Sequence, residues 1–140
     1  MVHSHILKLS TSGQAEVHDI TDGVRAAIEQ SGIRDGIACV FTASSTSGLT
    51  TLEFEPGAVE DLRRALDRLA PPEAEYLHNQ RWGDGNGHAH LRAALLGPSL
   101  SLPVVEGRPL LGTWQQVIFI DFDVRPRRRE IRVQVVGDPE

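Results

Sequence analysis

The spacing of apolar residues along the chain predicts short strands interrupted by a few helices. Apolar positions that alternate with polar ones, or that run together briefly, are typical of strands. Such segments occur at 5–10, 14–19, 36–43, 49–54, 100–105, 114–123 and 128–136. Apolar residues at helical spacing instead predict amphipathic helices from Thr21 to Ser31 and from Val59 to Leu69.

The same patterns predict how the strands pack. The turn at Ser12-Gly13 predicts a hairpin between the first two strands. The continuous apolar run at 36–43, which includes the single cysteine Cys39, predicts a strand buried on both faces. The last two strands are predicted to be antiparallel neighbours joined through the arginine-rich segment 124–127.

The middle of the chain has no clear periodicity. Residues 73–87 form the longest irregular segment, and long loops in compact domains tend to be functional. A short helix is predicted from about Ala89 to Leu96, where Gly97-Pro98 ends it. Because strands and helices do not alternate, we predict a single α+β domain over residues 1–140, with a mixed or antiparallel sheet and about three helices.

Charge and composition narrow the classes of partner. The formal net charge is −5 at pH 7. Nucleic acids and anionic membranes favour basic surfaces, so neither is an expected partner. No segment approaches the ~20 apolar residues of a membrane span, and the first residues do not resemble a secretion signal. With one cysteine we expect no intrachain disulfide and no cysteine-only metal site, and we expect a cytoplasmic protein.

Chemistry-bearing side chains concentrate around the glycine-rich stretch at 83–90. It holds Asp84, Asn86, His88 and His90, and His78 lies shortly before it. Imidazoles two positions apart share a face only when the chain is extended, which the glycines favour. Three imidazoles with one water form an open zinc site, so the three histidines are a candidate metal site. The alternative is a set of loop histidines beside a helix start, with Asp84 or Asn86 as turn or capping residues.

Two further segments offer groups that bind anions. Ser44, Ser45 and Thr46 follow the third predicted strand, and hydroxyls with exposed backbone N–H groups can cradle a phosphate. The alternative there is a polar hairpin loop. The arginines at 125–129 offer bidentate phosphate contacts, or else form a solvated hairpin tip. Glu53 is a lone carboxylate at the end of the following strand.

Several motifs occur in the order found in one known family. They are Thr42-Ala43-Ser44-Ser45-Thr46-Ser47-Gly48, Tyr76-Leu77-His78, Asp84-Gly85-Asn86-Gly87-His88-Ala89-His90, Leu96-Gly97-Pro98-Ser99 and Leu111-Gly112-Thr113-Trp114-Gln115-Gln116. In these motifs the chain resembles the YjbQ family, whose members are also called secondary thiamine-phosphate synthase enzymes. The resemblance covers nearly the whole chain. It implies an α+β fold, a homotrimer, and a histidine site near a subunit interface, often with a bound divalent metal such as zinc.

The resemblance also implies an activity and the residues that serve it. The activity is weak thiamine-phosphate synthesis, in which a pyrimidine diphosphate is coupled to a thiazole phosphate, so small phosphorylated molecules are the expected ligands. The residues carried over by position are metal or catalytic imidazoles and supporting polar side chains: His78, His88 and His90, and Asp84, Asn86 and Glu53.

Two positions depart from the family pattern. Ser44 stands where the family usually has a histidine, and Leu52 where it usually has an asparagine. A hydroxyl cannot replace an imidazole as a neutral metal ligand or as a base near pH 7. The sequence is therefore compatible with three functions: a transferase of the thiamine-phosphate synthase type, a non-catalytic trimer that binds a metal or small anion, and a metal-assisted hydrolase.

Overall fold

All strand pairs within residues 1–139, the part of the chain that the computed structural model describes, are antiparallel. The strands are β1 (Val2–Thr11), β2 (Glu16–Asp19), β3 (Asp35–Thr42), β4 (Ser47–Leu52), β5 (Ser99–Val105), β6 (Arg108–Pro109), β7 (Gln116–Asp121) and β8 (Arg127–Asp138). The helices are α1 (Thr21–Ser31), α2 (Pro56–Leu69), α3 (Leu77–Trp82) and α4 (Gly87–Leu96). This arrangement confirms the α+β prediction.

The strands form two sheets that pack on each other. The five-stranded sheet has the order β1-β8-β3-β5-β6, and the three-stranded sheet has the order β2-β7-β4. The five-stranded sheet packs on α1 and one face of the three-stranded sheet, whose other face packs on α2 and α4. Val117 and Phe119 of β7 pack in the core between the two sheets, whereas Ile118 and Ile120 pack in the core against α2 and α4. Each such side chain stabilises the fold by about 1.5–3 kcal/mol when fully buried, so β7 anchors both layers.

The prediction that the strand at 36–43 is buried on both faces is wrong. Only alternate residues of β3 are buried, and Ile37 is 57% exposed. Cys39 and Phe41 are exposed on the same face, so the predicted burial of Cys39 is also wrong. An apolar run indicates faces that favour burial, but it does not tell whether the chain itself covers them.

Two predicted strand pairings are wrong as well. β1 pairs with β8 rather than with β2, and β2 pairs with β7. β7 and β8 are not neighbours, because residues 122–126 carry the chain from one sheet to the other. Alternation identifies a strand and its buried face but leaves its partner open. The chain also crosses between the sheets from β1 to β2, and Gly13 lies in that connection. Its φ is +75°, and a Cβ there would lie 2.2 Å from the Asp123 carbonyl oxygen, so this position requires glycine.

Three of the connections that cross between the sheets are the segments 12–15, 43–46 and 122–126. Polar side chains in and beside them form a bonded set that we call the crossover corner: Thr11, Ser44, Thr46, Asp121, Asp123 and Arg129. Arg129 of β8 binds both carboxylate oxygens of the fully buried Asp121 of β7, at 2.7 and 2.9 Å. The same guanidinium donates to Ser44 Oγ at 2.9 Å and to Thr46 Oγ1 at 2.8 Å. Removal of one partner from a buried ion pair typically costs about 3–5 kcal/mol, so this corner fixes how the sheets meet.

The middle of the chain is more helical than its sequence pattern predicts. α3 lies within the segment at 73–87 that lacks periodicity, and it adds a fourth helix. α4 begins at Gly87, two residues before the predicted start at Ala89. Both His88 and His90 therefore lie inside α4.

Among residues 1–139, none of the helices has both the length and the apolar character needed to cross a membrane. The cytoplasmic location stays a prediction.

Candidate functional site

His78, Asp84 and His90 lie together beside the loop that joins α3 to α4, and we call them the histidine cluster. One ligand atom from each, an imidazole nitrogen or a carboxylate oxygen, lies within 4.8 Å of the other two. His78 Nδ1 is 3.4 Å from Asp84 Oδ1, and the ring centroids of His78 and His90 are 4.3 Å apart. Both imidazoles are half-buried, and Asp84 is exposed. These are donor types that bind zinc and other divalent cations.

The loop between the two helices holds these side chains through its own hydrogen bonds. Asp84 Oδ1 accepts a hydrogen bond from the Asn86 N–H at 3.1 Å, which makes the turn into α4. Asn79 Oδ1 accepts from the Gly87 N–H at 2.8 Å. A Cβ on Gly87 would lie 2.5 Å from the Cβ of Tyr76, so the close approach of the two helices requires glycine.

Asn86 ties this loop to the crossover corner. Within residues 1–139 its side chain makes no capping bond to α4. Instead, the Oδ1 of the buried Asn86 accepts a hydrogen bond from the Val124 N–H at 3.0 Å. Val124 follows Asp123, whose carboxylate accepts hydrogen bonds from Arg127 and Thr46. The start of α4 is therefore held by the same connections that join the sheets.

His88 faces away from the histidine cluster. Residues two apart on an α-helix diverge by about 200°, so His88 and His90 project from opposite sides of α4. His88 is 3% exposed. Its burial, and then the positive charge of Arg92, lower the pKa of His88 and favour the neutral imidazole at pH 7. The structure does not bring the predicted set of His78, His88 and His90 together, because the helix begins before His88.

The hydroxyl loop predicted to bind an anion belongs to the crossover corner. Ser44 Oγ accepts hydrogen bonds from Arg129 and from the Thr46 N–H. Thr46 Oγ1 accepts from Arg129 and donates to Asp123 Oδ2. Ser45 is exposed. Two of the three hydroxyls thus have partners inside the protein.

Glu53 lies apart from the histidine cluster. It is exposed just after β4 and lines a surface hollow with Thr113 and Trp114, to which no residue of the histidine cluster contributes. Leu52, which precedes it, packs half-buried against the core. The structure therefore separates Glu53 from the imidazoles with which the family resemblance groups it.

Two of the four arginines at 125–129 bind carboxylates, and the other two are exposed. Arg127 and Arg129 bind carboxylates of the crossover corner, whereas Arg125 and Arg128 are exposed. Sequence reasoning missed these ion pairs, although residues two apart share one face of a strand and signal them: Asp121 and Asp123, and Arg127 and Arg129.

The pKa of the Asp123 carboxyl lies below its ordinary value. Burial by itself raises this pKa. Hydrogen bonds from the Arg125 N–H, the Asn86 side chain and Thr46 Oγ1, together with the charge of Arg127, lower it by more. The ionised carboxylate is therefore the form that the folded protein stabilises.

Exposed apolar side chains accompany the histidine cluster on α3 and α4. Leu77 is 82% exposed and Trp82 is 66% exposed, and these two residues bound α3. Leu91 and Leu95 are exposed on α4. Single exposed apolar residues are common, whereas a group of them on adjacent helices is typical of an interaction surface.

Nearly all of this chain matches known proteins. A family model described as UPF0047 protein YjbQ-like matches residues 5–138. The chain belongs to the YjbQ (UPF0047) family. A UPF0047 protein of Methanothermobacter thermautotrophicus is 44% identical over 138 residues, which cover 99% of this chain and 94% of the relative. The UPF0047 protein YugU of Bacillus subtilis is 34% identical, with 94% of this chain and 97% of YugU covered.

Solved structures share the fold of this YjbQ-family chain. The crystal structure of a YbjQ-like protein of unknown function from Sulfolobus solfataricus gives a TM-score of 0.89 at 34% identity, covering 99% of this chain and 100% of that one. A crystal structure from Clostridium acetobutylicum, described as a conserved protein of the yjbq/upf0047 family, gives 0.86 at 35% identity, covering 94% and 99%. This chain therefore has the fold of the YjbQ family, and the names of these relatives give no reaction.

The lowered pKa of Asp123 predicts how the stability of this YjbQ-family protein depends on pH. In the unfolded chain an aspartate has a pKa of about 3.9. The pKa of Asp123 is lower in the folded protein, so the ionised carboxylate stabilises the fold fully at pH values above the unfolded-state pKa. This contribution is lost as the pH falls through the folded-state pKa. Urea unfolding from about pH 6 to about pH 3 should show a smaller loss of stability for Asp123→Asn than for the wild type. The exposed Asp61→Asn variant should behave as the wild type. Equal losses in Asp123→Asn and wild type would contradict this prediction.

Proposed function

We propose that the histidine cluster binds a divalent metal, with zinc as the candidate, and that the protein uses this site in a transferase reaction of the thiamine-phosphate synthase type. The observation that carries the proposal is the convergence of His78, Asp84 and His90 within 4.8 Å. Two imidazoles and a carboxylate with an open fourth position are a ligand set of catalytic zinc sites.

The spacing of the donors supports a metal site. Two ligands bound at about 2.0–2.1 Å lie roughly 3.3 Å apart at a tetrahedral angle, and His78 Nδ1 is 3.4 Å from Asp84 Oδ1. A hydrogen bond between an imidazole and a carboxylate has a similar length. The presence of His90 as a third donor is therefore what favours a metal site over a hydrogen-bonded pair of His78 and Asp84. The N–H of Asn86 holds Asp84 Oδ1 in place, as outer partners of metal ligands commonly do.

The reaction type comes from the family resemblance. In thiamine-phosphate synthesis the thiazole nitrogen attacks the carbon that carries the diphosphate, so that a C–N bond forms, a C–O bond breaks and diphosphate leaves. A bound divalent metal supplies stabilisation of negative charge on such a leaving group. The role of this chain is to hold that charge-stabilising centre with His78, Asp84 and His90, and to limit the access of water through the half-burial of both imidazoles.

The proposed assembly is the homotrimer that the resemblance implies. Two apolar surfaces support it: the open face of β3, with Ile37 and Phe41, and the exposed side of α3, with Leu77 and Trp82. A subunit packed on the α3 surface would shield the adjacent histidine cluster from water, which strengthens electrostatic interactions with a substrate.

A non-catalytic role in metal binding is the second candidate. It is favoured by the contacts of Ser44, which stands where the family usually has a histidine and whose hydroxyl is bound by Arg129. Leu52, at the usual asparagine position, packs against the core and offers no polar group. With serine and leucine at these two positions, the protein keeps the three metal donors of the histidine cluster but has neither the imidazole nor the amide that the family usually has there.

The metal proposal predicts different results for neighbouring histidines. Purified wild-type protein equilibrated with zinc should retain about one ion per chain by elemental analysis. His78→Ala and His90→Ala should reduce the bound zinc to background, because each removes one of three ligands. His88→Ala, with its fold checked by circular dichroism, should retain zinc as the wild type does. An equal loss in His88→Ala and His90→Ala, or no loss in either, would overturn the assignment.

The transferase proposal is tested by coupling a pyrimidine diphosphate to a thiazole phosphate. The wild type with zinc should form product above background, and His90→Ala should lower the rate at least ~100-fold, since it disrupts the charge-stabilising centre. Absence of product with zinc-loaded wild type would refute the transferase reaction and favour the non-catalytic role.

A further inference from the structure

A small hollow of about 190 Å³ lies on the other side of α4 from the histidine cluster. Its ionisable wall residues are Arg63 and Asp67 of α2, and His88 and Arg92 of α4. Pockets for drug-sized molecules usually measure about 300–1,000 Å³. The hollow therefore has room for a small ion or one acidic group of a larger molecule.

The two arginines of the hollow are only partly used by the protein. Arg92 is buried, and it donates from Nε to the Ala70 carbonyl oxygen at 3.1 Å and from Nη2 to Asp67 Oδ1 at 2.9 Å. Arg63 donates from Nε to the Ala15 carbonyl oxygen at 3.0 Å. Within residues 1–139, Nη1 of Arg92 and both terminal nitrogens of Arg63 make no further hydrogen bond. Two guanidinium groups thus face a single wall carboxylate, that of Asp67, which is itself largely exposed.

His88 adds a buried polar atom without a partner. The residue is 3% exposed, and its Nδ1 makes no hydrogen bond within residues 1–139. Nδ1 has almost no exposed surface, so it is not open to a ligand in the hollow. The charge of Glu73 acts on His88, but Glu73 does not line the hollow.

We propose that this hollow binds a small oxyanion, a phosphate or a carboxylate group. The unused N–H groups of Arg63 and Arg92 are its main contacts, because guanidinium groups bind such oxygens in a bidentate manner. His88 lines the wall as a neutral imidazole and adds no charge to the hollow. The inference does not rest on the proposed metal site, since the two sites share α4 but no side chain.

Isothermal titration calorimetry with inorganic phosphate, and separately with acetate, tests this inference. The protein is used without added metal, and sodium chloride keeps the ionic strength constant. One of the two probes should bind saturably to wild-type protein, and the one that binds identifies a phosphate or a carboxylate site. Arg63→Gln should weaken that binding about 10–100-fold through loss of a charge-assisted contact. Arg64→Gln, which alters an exposed arginine next to it on α2, should not.

Two further variants separate the possible explanations. Gln14 also lines the hollow, so Gln14→Glu should weaken binding by charge repulsion while both arginines stay in place. His90→Ala should bind the anion as the wild type does, because it changes only the histidine cluster. Absence of saturable binding for both probes, or equal binding by wild type, Arg63→Gln and Gln14→Glu, would overturn the proposal.

Discussion

The ion pair between Asp121 and Arg129 determines how the two sheets of this fold meet. Asp121 is fully buried, and its carboxylate is costly to bury unless every oxygen finds a donor. Arg129 supplies two donors, and Thr11 Oγ1 and the Asp123 N–H supply the others. Because these groups come from β1, β7, β8 and the connection after β7, the pair forms only when the crossings are correctly placed. Ser44 belongs to the same set, so its hydroxyl has a structural partner where the family usually has an imidazole.

Asn86 links the crossover corner to the candidate site, through hydrogen bonds with the Val124 N–H and the Asp123 carboxylate. Asn86 is the residue just before α4, and its hydrogen bond from the Val124 N–H fixes the point at which the helix begins, at Gly87. Helical geometry then places His90 beside His78 and sends His88 to the opposite side. A helix that began two residues later would leave His88 in the preceding loop, where it can share a face with His90. The position of one helix start thus decides which imidazoles form a site and leaves His88 to the hollow on the other side.

Patterns in the sequence predict the local elements well because those elements depend on nearby residues. The strands other than β6, and the helices α1 and α2, have clear apolar spacing, whereas the two residues of β6 (Arg108–Pro109) are too few to show one. α3 has no buried residue, so it has no apolar spacing to detect. The partner of each strand depends on contacts far apart in sequence, such as Ser4 of β1 with Gln134 of β8, and alternation alone does not encode them. The glycine-rich stretch marks the location of the candidate site, but membership in the histidine cluster depends on where α4 begins.

The most direct test of this account is anomalous diffraction from crystals of the protein grown with zinc. We predict a zinc peak bound by His78, Asp84 and His90, at about 2.0–2.2 Å from their ligand atoms, and no zinc on His88. Such a result would establish that the helix start selects the metal-binding imidazoles. A zinc ion bound to His88, or crystals with no ordered zinc at His78, Asp84 and His90, would contradict the account.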